Sequence, residues 1–258
     1  MKTLFITLSC FLLTGSLFAQ TSKIITSGKI EFEKRINMHA VSKNEIGEGI
    51  LTEFIKTQLD NYKRSSPQFA TLNSTLIFND NKTLFTPIAP TTPIANFNSN
   101  PIAKQFNIVY TDLATNAATI QKEISNEFFL VKDSTRNITW RLTDETQEVA
   151  GYSCRRANGL MLDSIYVVAY YTDKIWVSGG PESFAGLPGM ILKVAVPHEN
   201  VIWTATKVTV ENIPPATIVP PAPKKASQVN NKQLYDILKK YTKSWGSVGP
   251  YEMKIFLL

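Results

Sequence analysis

From Lys29 to Met38 polar and apolar residues alternate, with Ile30 and Phe32 on one face and Glu31 and Glu33 on the other. A period of two predicts a half-buried strand. Ser42-Lys43-Asn44-Glu45 has the spacing of a helix capping box, and Ile46, Ile50, Phe54 and Ile55 follow at helical intervals. That pattern predicts a helix to about Tyr62, weakened at its start by Gly47 and Gly49. From Leu72 the pattern turns to strands. Thr75–Phe78 and Thr83–Phe85 flank Asn79–Lys82 as a hairpin, and Thr86–Pro101, rich in proline and asparagine, reads as an exposed loop. Phe106–Tyr110, Phe128–Val131 and Tyr152–Ala157 are further strands, and Ile138, Trp140 and Leu142 alternate with Thr139, Arg141 and Thr143 to give a strand with one wet face.

Ile165–Thr172 is apolar on both faces, which predicts the centre of a sheet or cover by a helix. Met190–Val196 and Val201–Val210 form a hairpin through Pro197-His198-Glu199-Asn200. A proline-rich connector at 214–223 leads to an amphipathic helix at 230–245, whose apolar stripe is Leu234, Ile237, Leu238, Tyr241 and Trp245, with Gly246 placed to end it. The expected fold is mainly β within the α+β class. Residues 20–258 form one domain, a large curved antiparallel sheet or half-barrel with helices packed on or near its concave face.

Residues 1–19 read as an export signal, with Lys2 as the positive end, Leu4–Leu13 as the apolar segment and cleavage at Ala19-Gln20. Leu8-Ser9-Cys10 resembles a lipoprotein cleavage site, but cutting there would leave about half the normal apolar segment. No later segment is apolar enough to span a bilayer, so the expected location is the periplasm or the outer membrane's vicinity. Losing Lys2 takes the formal net charge from +6 to +5. That excess favours anionic surfaces weakly, and an ordinary basic exported protein is the simpler reading. Cys154 is then the sole cysteine, which excludes an internal disulfide and predicts a packed thiol.

Missing residues restrict the chemistry. His39 and His198 are the only histidines, and no Gly-x-Ser-x-Gly, His-x-x-x-His or Cys-x-x-Cys occurs. Triad catalysis and a transition-metal centre are therefore not expected, and neither is a cofactor. The segment Ser178–Gly189 lacks the Gly-Lys-Ser/Thr ending of a phosphate loop. Nothing pairs basic residues with a nucleic-acid motif. What remains is a set of aromatics on or beside strands. Trp140, Tyr152, Tyr170, Tyr171 and Trp176 are the candidate ligand-binding residues, lining an apolar pocket for an amphiphile, against the plainer role of filling the core. Leu187-Pro188-Gly189-Met190 reads as a type II turn beside Gly186, at the rim of that pocket.

Gly151-Tyr152-Ser153-Cys154-Arg155-Arg156-Ala157, Ala169-Tyr170-Tyr171-Thr172 with Ile175, and Gly180-Pro181, Phe184 and Gly186–Leu192 together resemble the motifs of the GLPGLI family. Asp133 with Ile138-x-Trp140-x-Leu142 fits as well, and the match is dense from Phe128 to Val210. Met190, Tyr170 and Arg156 stand where the family has Leu, Trp and Lys. The resemblance implies an exported Gram-negative protein, often encoded near TonB-dependent receptors, with no established enzyme activity. The order of elements also looks like the half-barrel of lipoprotein carriers. The leading expectation is a non-enzymatic binding or accessory protein that holds an amphiphile or docks an outer-membrane receptor component. The rivals are a hydrolase using carboxylates such as Asp144 and Glu145, or Cys154, and a structural module acting through a sheet edge and the proline connector.

Overall fold

The computed structural model describes residues 24–46, 52–90, 101–104, 106–162 and 164–258. Twelve strands make one open sheet: β1 (Ser27–Asn37), β2 (Phe69–Asn79), β3 (Lys82–Pro87), β4 (Ile108–Asp112), β5 (Ala117–Ile124), β6 (Glu127–Ser134), β7 (Thr139–Val149), β8 (Tyr152–Met161), β9 (Ile165–Thr172), β10 (Met190–Val196), β11 (Val201–Thr209) and β12 (Ser227–Val229). Their spatial order is β12-β6-β5-β4-β3-β2-β1-β11-β10-β9-β8-β7. Two antiparallel meanders, β2–β6 and β7–β11, are thus joined through β1, which pairs with β2 along its whole length and with β11 on its other side. The sheet is mixed rather than wholly antiparallel, because β12 runs parallel to β6 at one edge.

Alternation builds the core. In β1 Ile30, Phe32 and Ile36 are buried on one face while Glu31 and Glu33 lie on the other. β9 lies inside the sheet between β10 and β8, yet its second face is not covered as expected: Tyr166 is exposed, and Val168 and Tyr170 are half-buried. β5 is a strand that periodicity alone does not reveal. Ala117-Ala-Thr-Ile-Gln-Lys-Glu-Ile is rich in helix formers, and pairing along both edges, with β4 and β6, overrides that preference. β7 is the wet outer edge, exposed over most of its length.

The early helix is two helices, α1 (Met38–Ile46) and α2 (Glu53–Ser65). Ser42 does not cap: it is buried inside α1, which starts directly after β1, where the Asn37 side chain accepts from the Ala40 amide at 3.2 Å. Thr52 caps α2 by accepting from the Ile55 amide. Beyond the short α3 (Pro101–Lys104) and the strands comes α4 (Asn231–Thr242), opened by a reciprocal Asn230–Gln233 capping box. Leu234 and Leu238 are buried, whereas Tyr241 and Trp245 stay at the surface. A 3-10 turn over Lys243–Val248, with Gly246 at φ +59°, leads into α5 (Gly249–Leu257), a helix the sequence pattern does not announce.

Among the described residues no helix is long and apolar enough to cross a membrane. The export segment 1–19, the glycines at 47 and 49, and 91–100 of the expected proline loop lie outside the described residues.

Candidate functional site

The five candidate aromatics do not converge on one pocket. Tyr170 and Tyr171 are consecutive in β9 and so point to opposite faces. Tyr171 is a core residue, while Tyr170 lies on the other face with the Lys193 ammonium 5.3 Å from its ring. Tyr152 is half-buried at the start of β8 and packs on the core's margin. Trp140 is a structural strut. Its Nε1 donates to the Ala185 carbonyl at 2.9 Å, and its ring lies so close over Gly159 that a Cβ there would come within 2.6 Å of it. Trp176 alone presents its side chain to solvent, at 66% exposure. Its backbone is nevertheless fixed: the Trp176 amide donates to Ile25 O at 2.9 Å, and the preceding Ile175 is buried and bridged to Ile25.

The motif turn differs from the expected type II form. Met190 donates to Ile175 O rather than back to Leu187, and the Gly189 amide closes a tighter three-residue turn onto Leu187 O at 2.7 Å around Pro188. Leu187 is buried, and Gly186 and Pro188 are exposed. Gly189 sits at φ +140°, and a Cβ there would lie 2.1 Å from Thr172 O, so no other residue fits without moving β9. The segment doubles back on itself through Gly186 N to Ser178 O at 3.1 Å and Ile191 N to Gly179 O at 2.8 Å. This fold-back drives Phe184 and Glu182 into the interior, with Glu182 in the left-handed region at φ +51°.

Glu182 meets two buried lysines and a half-buried arginine that the sequence pattern did not single out. Lys34 lies in phase with Ile30, Phe32 and Ile36 on the inner face of β1, and Lys122 in phase with Ala118, Ile120 and Ile124 on β5. A lysine in register with an apolar face was the signal that could have found both. Arg136, from the β6–β7 link, completes the group. Burial pushes the Glu182 carboxyl up, against the pull of Lys34, the Asn107 amide donating at 3.0 Å, Lys122 and Arg136. Burial likewise lowers Lys34, takes Lys122 down to about 7 with Arg136 adding to the effect, and takes Arg136 to about 10.

These cations hold the covering helices. Lys34 donates to Ile102 O in α3 at 2.7 Å and Lys122 to Phe256 O in α5 at 3.0 Å. Arg136 donates from Nη2 to the main-chain oxygens of Leu257 and Leu258 and from Nε to Ser183 Oγ. The carbonyls at the end of α5 carry the negative end of its dipole, which suits cationic partners. Beside Lys34, a space of about 10 Å³ is bordered by Glu182, Ser74 and Trp203, and buried Ser74 Oγ and Trp203 Nε1 have no hydrogen-bond partner among the described residues. That volume admits one water molecule and no organic ligand.

A larger cleft, of about 290 Å³, opens at the rim. Topology puts it there: in an up-and-down meander the β2–β3 turn, the β4–β5 turn and the β6–β7 link fall at one end of the sheet, and they supply Asn81, Asn116 and Thr135 respectively. Leu113, also from the β4–β5 turn, is tied to the first turn by its amide donating to Asn81 O at 2.7 Å. The opposite wall is the segment after β9, through Trp176, Ser178 and Gly186. Arg136 borders the cleft, but its guanidinium is committed to Ser183, Met161 and the end of α5. No Asp or Glu lines the cleft among the described residues, and no group of three or more His, Cys, Asp or Glu there is placed to hold a metal. Cys154 is fully buried, and burial pushes its thiol up to about 11.

Solved structures of similar shape include PNGF-II in its P21 form, with a TM-score of 0.47 and 16% identity over 82% of this chain and 33% of that one. PNGF-II in its C2 form gives 0.49 and 15% over 82% and 32%. An uncharacterized conserved protein from Thermus thermophilus gives 0.37 and 8% over 80% and 91%. The chain spans about a third of the length of the PNGF-II chains it matches. No curated protein matches it in sequence. Residues 159–193, which hold β9, Trp176 and the motif turn, match the family described as "Protein of unknown function (Porph_ging)".

Proposed function

We propose that this is a non-enzymatic binding protein of the cell envelope, exported by residues 1–19 and related to the GLPGLI family through its motif segment. Its ligand sits in the rim cleft. One observation carries the reading: Trp176 leaves two-thirds of its surface in water while its backbone is pinned, at the edge of a 290 Å³ cleft. A large exposed aromatic on a fixed backbone loses little conformational freedom when a ligand covers it. The cleft approaches the lower size range of small-molecule sites, roughly 300 Å³. The tightly filled interior beside Lys34 offers no comparable room for the expected apolar chain.

Native mass spectrometry of the protein recovered from its own envelope tests the reading. A small molecule should accompany the wild type and be lost from Trp176→Ala, with the fold unchanged. A ligand retained by the variant would overturn it, as would a wild type that arrives bare and binds no added small molecule.

A second reading, docking of an outer-membrane receptor component of a TonB-dependent system, draws on the outward face of the last strands. Leu160 and Tyr166 are cross-strand partners there, 48% and 39% exposed. Crosslinking from that face to a receptor in intact envelopes distinguishes it from ligand binding at the rim.

A further inference from the structure

We propose that the rim cleft binds a neutral saccharide of one or two rings, stacked on Trp176. The inference rests on the binding reading above and names the ligand class. The free polar groups of the cleft are uncharged. Asn81 has no side-chain hydrogen bond among the described residues, although its main chain is fixed by Leu113. Asn116 is held in the left-handed region at φ +54°, its carbonyl oxygen accepting from the Thr135 hydroxyl, which leaves its NH2 group to donate and the Thr135 oxygen to accept. The Ser178 hydroxyl is half-buried on the facing wall, and its main chain is fixed by the Gly186 amide.

Amides and hydroxyls that both donate and accept match a ring carrying several hydroxyls, each of which also does both. The apolar C–H face of such a ring matches an exposed indole, whose π face is electron-rich.

The same features disfavour other ligand classes. A phosphate or carboxylate needs a free cation or a nest of amides, and the single cation at the cleft among the described residues, Arg136, already donates to Ser183, Met161, Leu257 and Leu258. A lipid chain needs continuous apolar walls, whereas the lining alternates Asn81, Asn116, Thr135 and Ser178 with Leu113 and Trp176. The absence of a lining carboxylate pair leaves the described cleft without the groups that hydrolyse a glycosidic bond, so the bound sugar is held rather than cut.

The test is titration of the whole protein with maltose, lactose and N,N′-diacetylchitobiose, read by tryptophan fluorescence and saturation-transfer NMR. Glucuronate and dodecylphosphocholine serve as the charged and amphiphilic comparators. At least one neutral disaccharide should bind and perturb Trp176, with affinity falling about tenfold or more in Trp176→Ala, as for loss of a stacking contact. Asn81→Ala should weaken it severalfold, and both variants should melt like the wild type.

Binding of glucuronate or dodecylphosphocholine at Trp176, with all three disaccharides silent, would overturn the saccharide class and leave the binding reading standing. Silence of every probe, together with a Trp176-dependent envelope ligand that contains no sugar by fragmentation, would do the same. Silence of every probe and no envelope ligand would overturn both.

Discussion

Lys122→Met isolates what the buried cations do to stability. Lys122 is 2% exposed, its Nζ donates to Phe256 O, and burial lowers it from 10.5 to about 7. The groups facing it are Lys34 from β1, Arg136 from the β6–β7 link and Glu182 from the motif segment. For a base whose folded pKa is depressed, the unfolded chain binds more protons between the two values, so stability rises with pH across that window. The window here is about 7 to 10.5, and the slope cannot exceed about 1.4 kcal/mol per pH unit. Over the full shift the effect is at most about 5 kcal/mol, and coupling to Glu182 reduces it.

Lys34 is lowered too and adds in the same direction, whereas Glu182, raised, loses stability as pH climbs through its folded value. The difference between wild type and variant is therefore the quantity to read. Loss of the bond to Phe256 O shifts the variant by about 1 kcal/mol at every pH. Urea denaturation at half-unit steps from about pH 7 to 10 should show the wild type gaining on Lys122→Met by about 1 kcal/mol per pH unit. Parallel curves would refute the assignment of a depressed pKa to this lysine.

Gly189→Ala should lower stability by about 2–4 kcal/mol and Tm by roughly 5–15 °C, because a Cβ there meets Thr172 O at 2.1 Å on a backbone at φ +140°. An unchanged melting curve would mean that the turn is not held against β9. Cys154, fully buried with its thiol near 11, should resist Ellman's reagent at about pH 8 in the folded protein and react at once in guanidinium. Rapid labelling of the native protein would revive a nucleophilic role for it.

Much of the β architecture was legible in the residues themselves. Alternation in β1, the paired runs of β2 with β3 and β10 with β11, and the buried thiol of Cys154 all follow from local pattern and composition, because the pleat sorts side chains to two faces wherever the chain runs. The early helix was located but misframed: Asn37 and Thr52 carry the capping contacts, and Ser42 is inside α1. β5 was hidden because its residues favour a helix until β4 and β6 pair with it.

The sequence by itself determined a strand-rich chain with one amphipathic helix near its end and a tight turn around Pro188. The meaning of individual side chains was decided only in three dimensions. Of five aromatics that look alike along the chain, Tyr171 fills the core, Trp140 bonds Ala185, and Trp176 lines the cleft. Lys34, Lys122 and Glu182 lie far apart in sequence, and their couplings exist because β1, β5 and the folded-back motif share one interior. The cleft is likewise a product of topology, since its lining comes from separate connections that the meander delivers to the same end of the sheet. Local periodicity encodes which face a residue takes, and only the strand order encodes which residues meet.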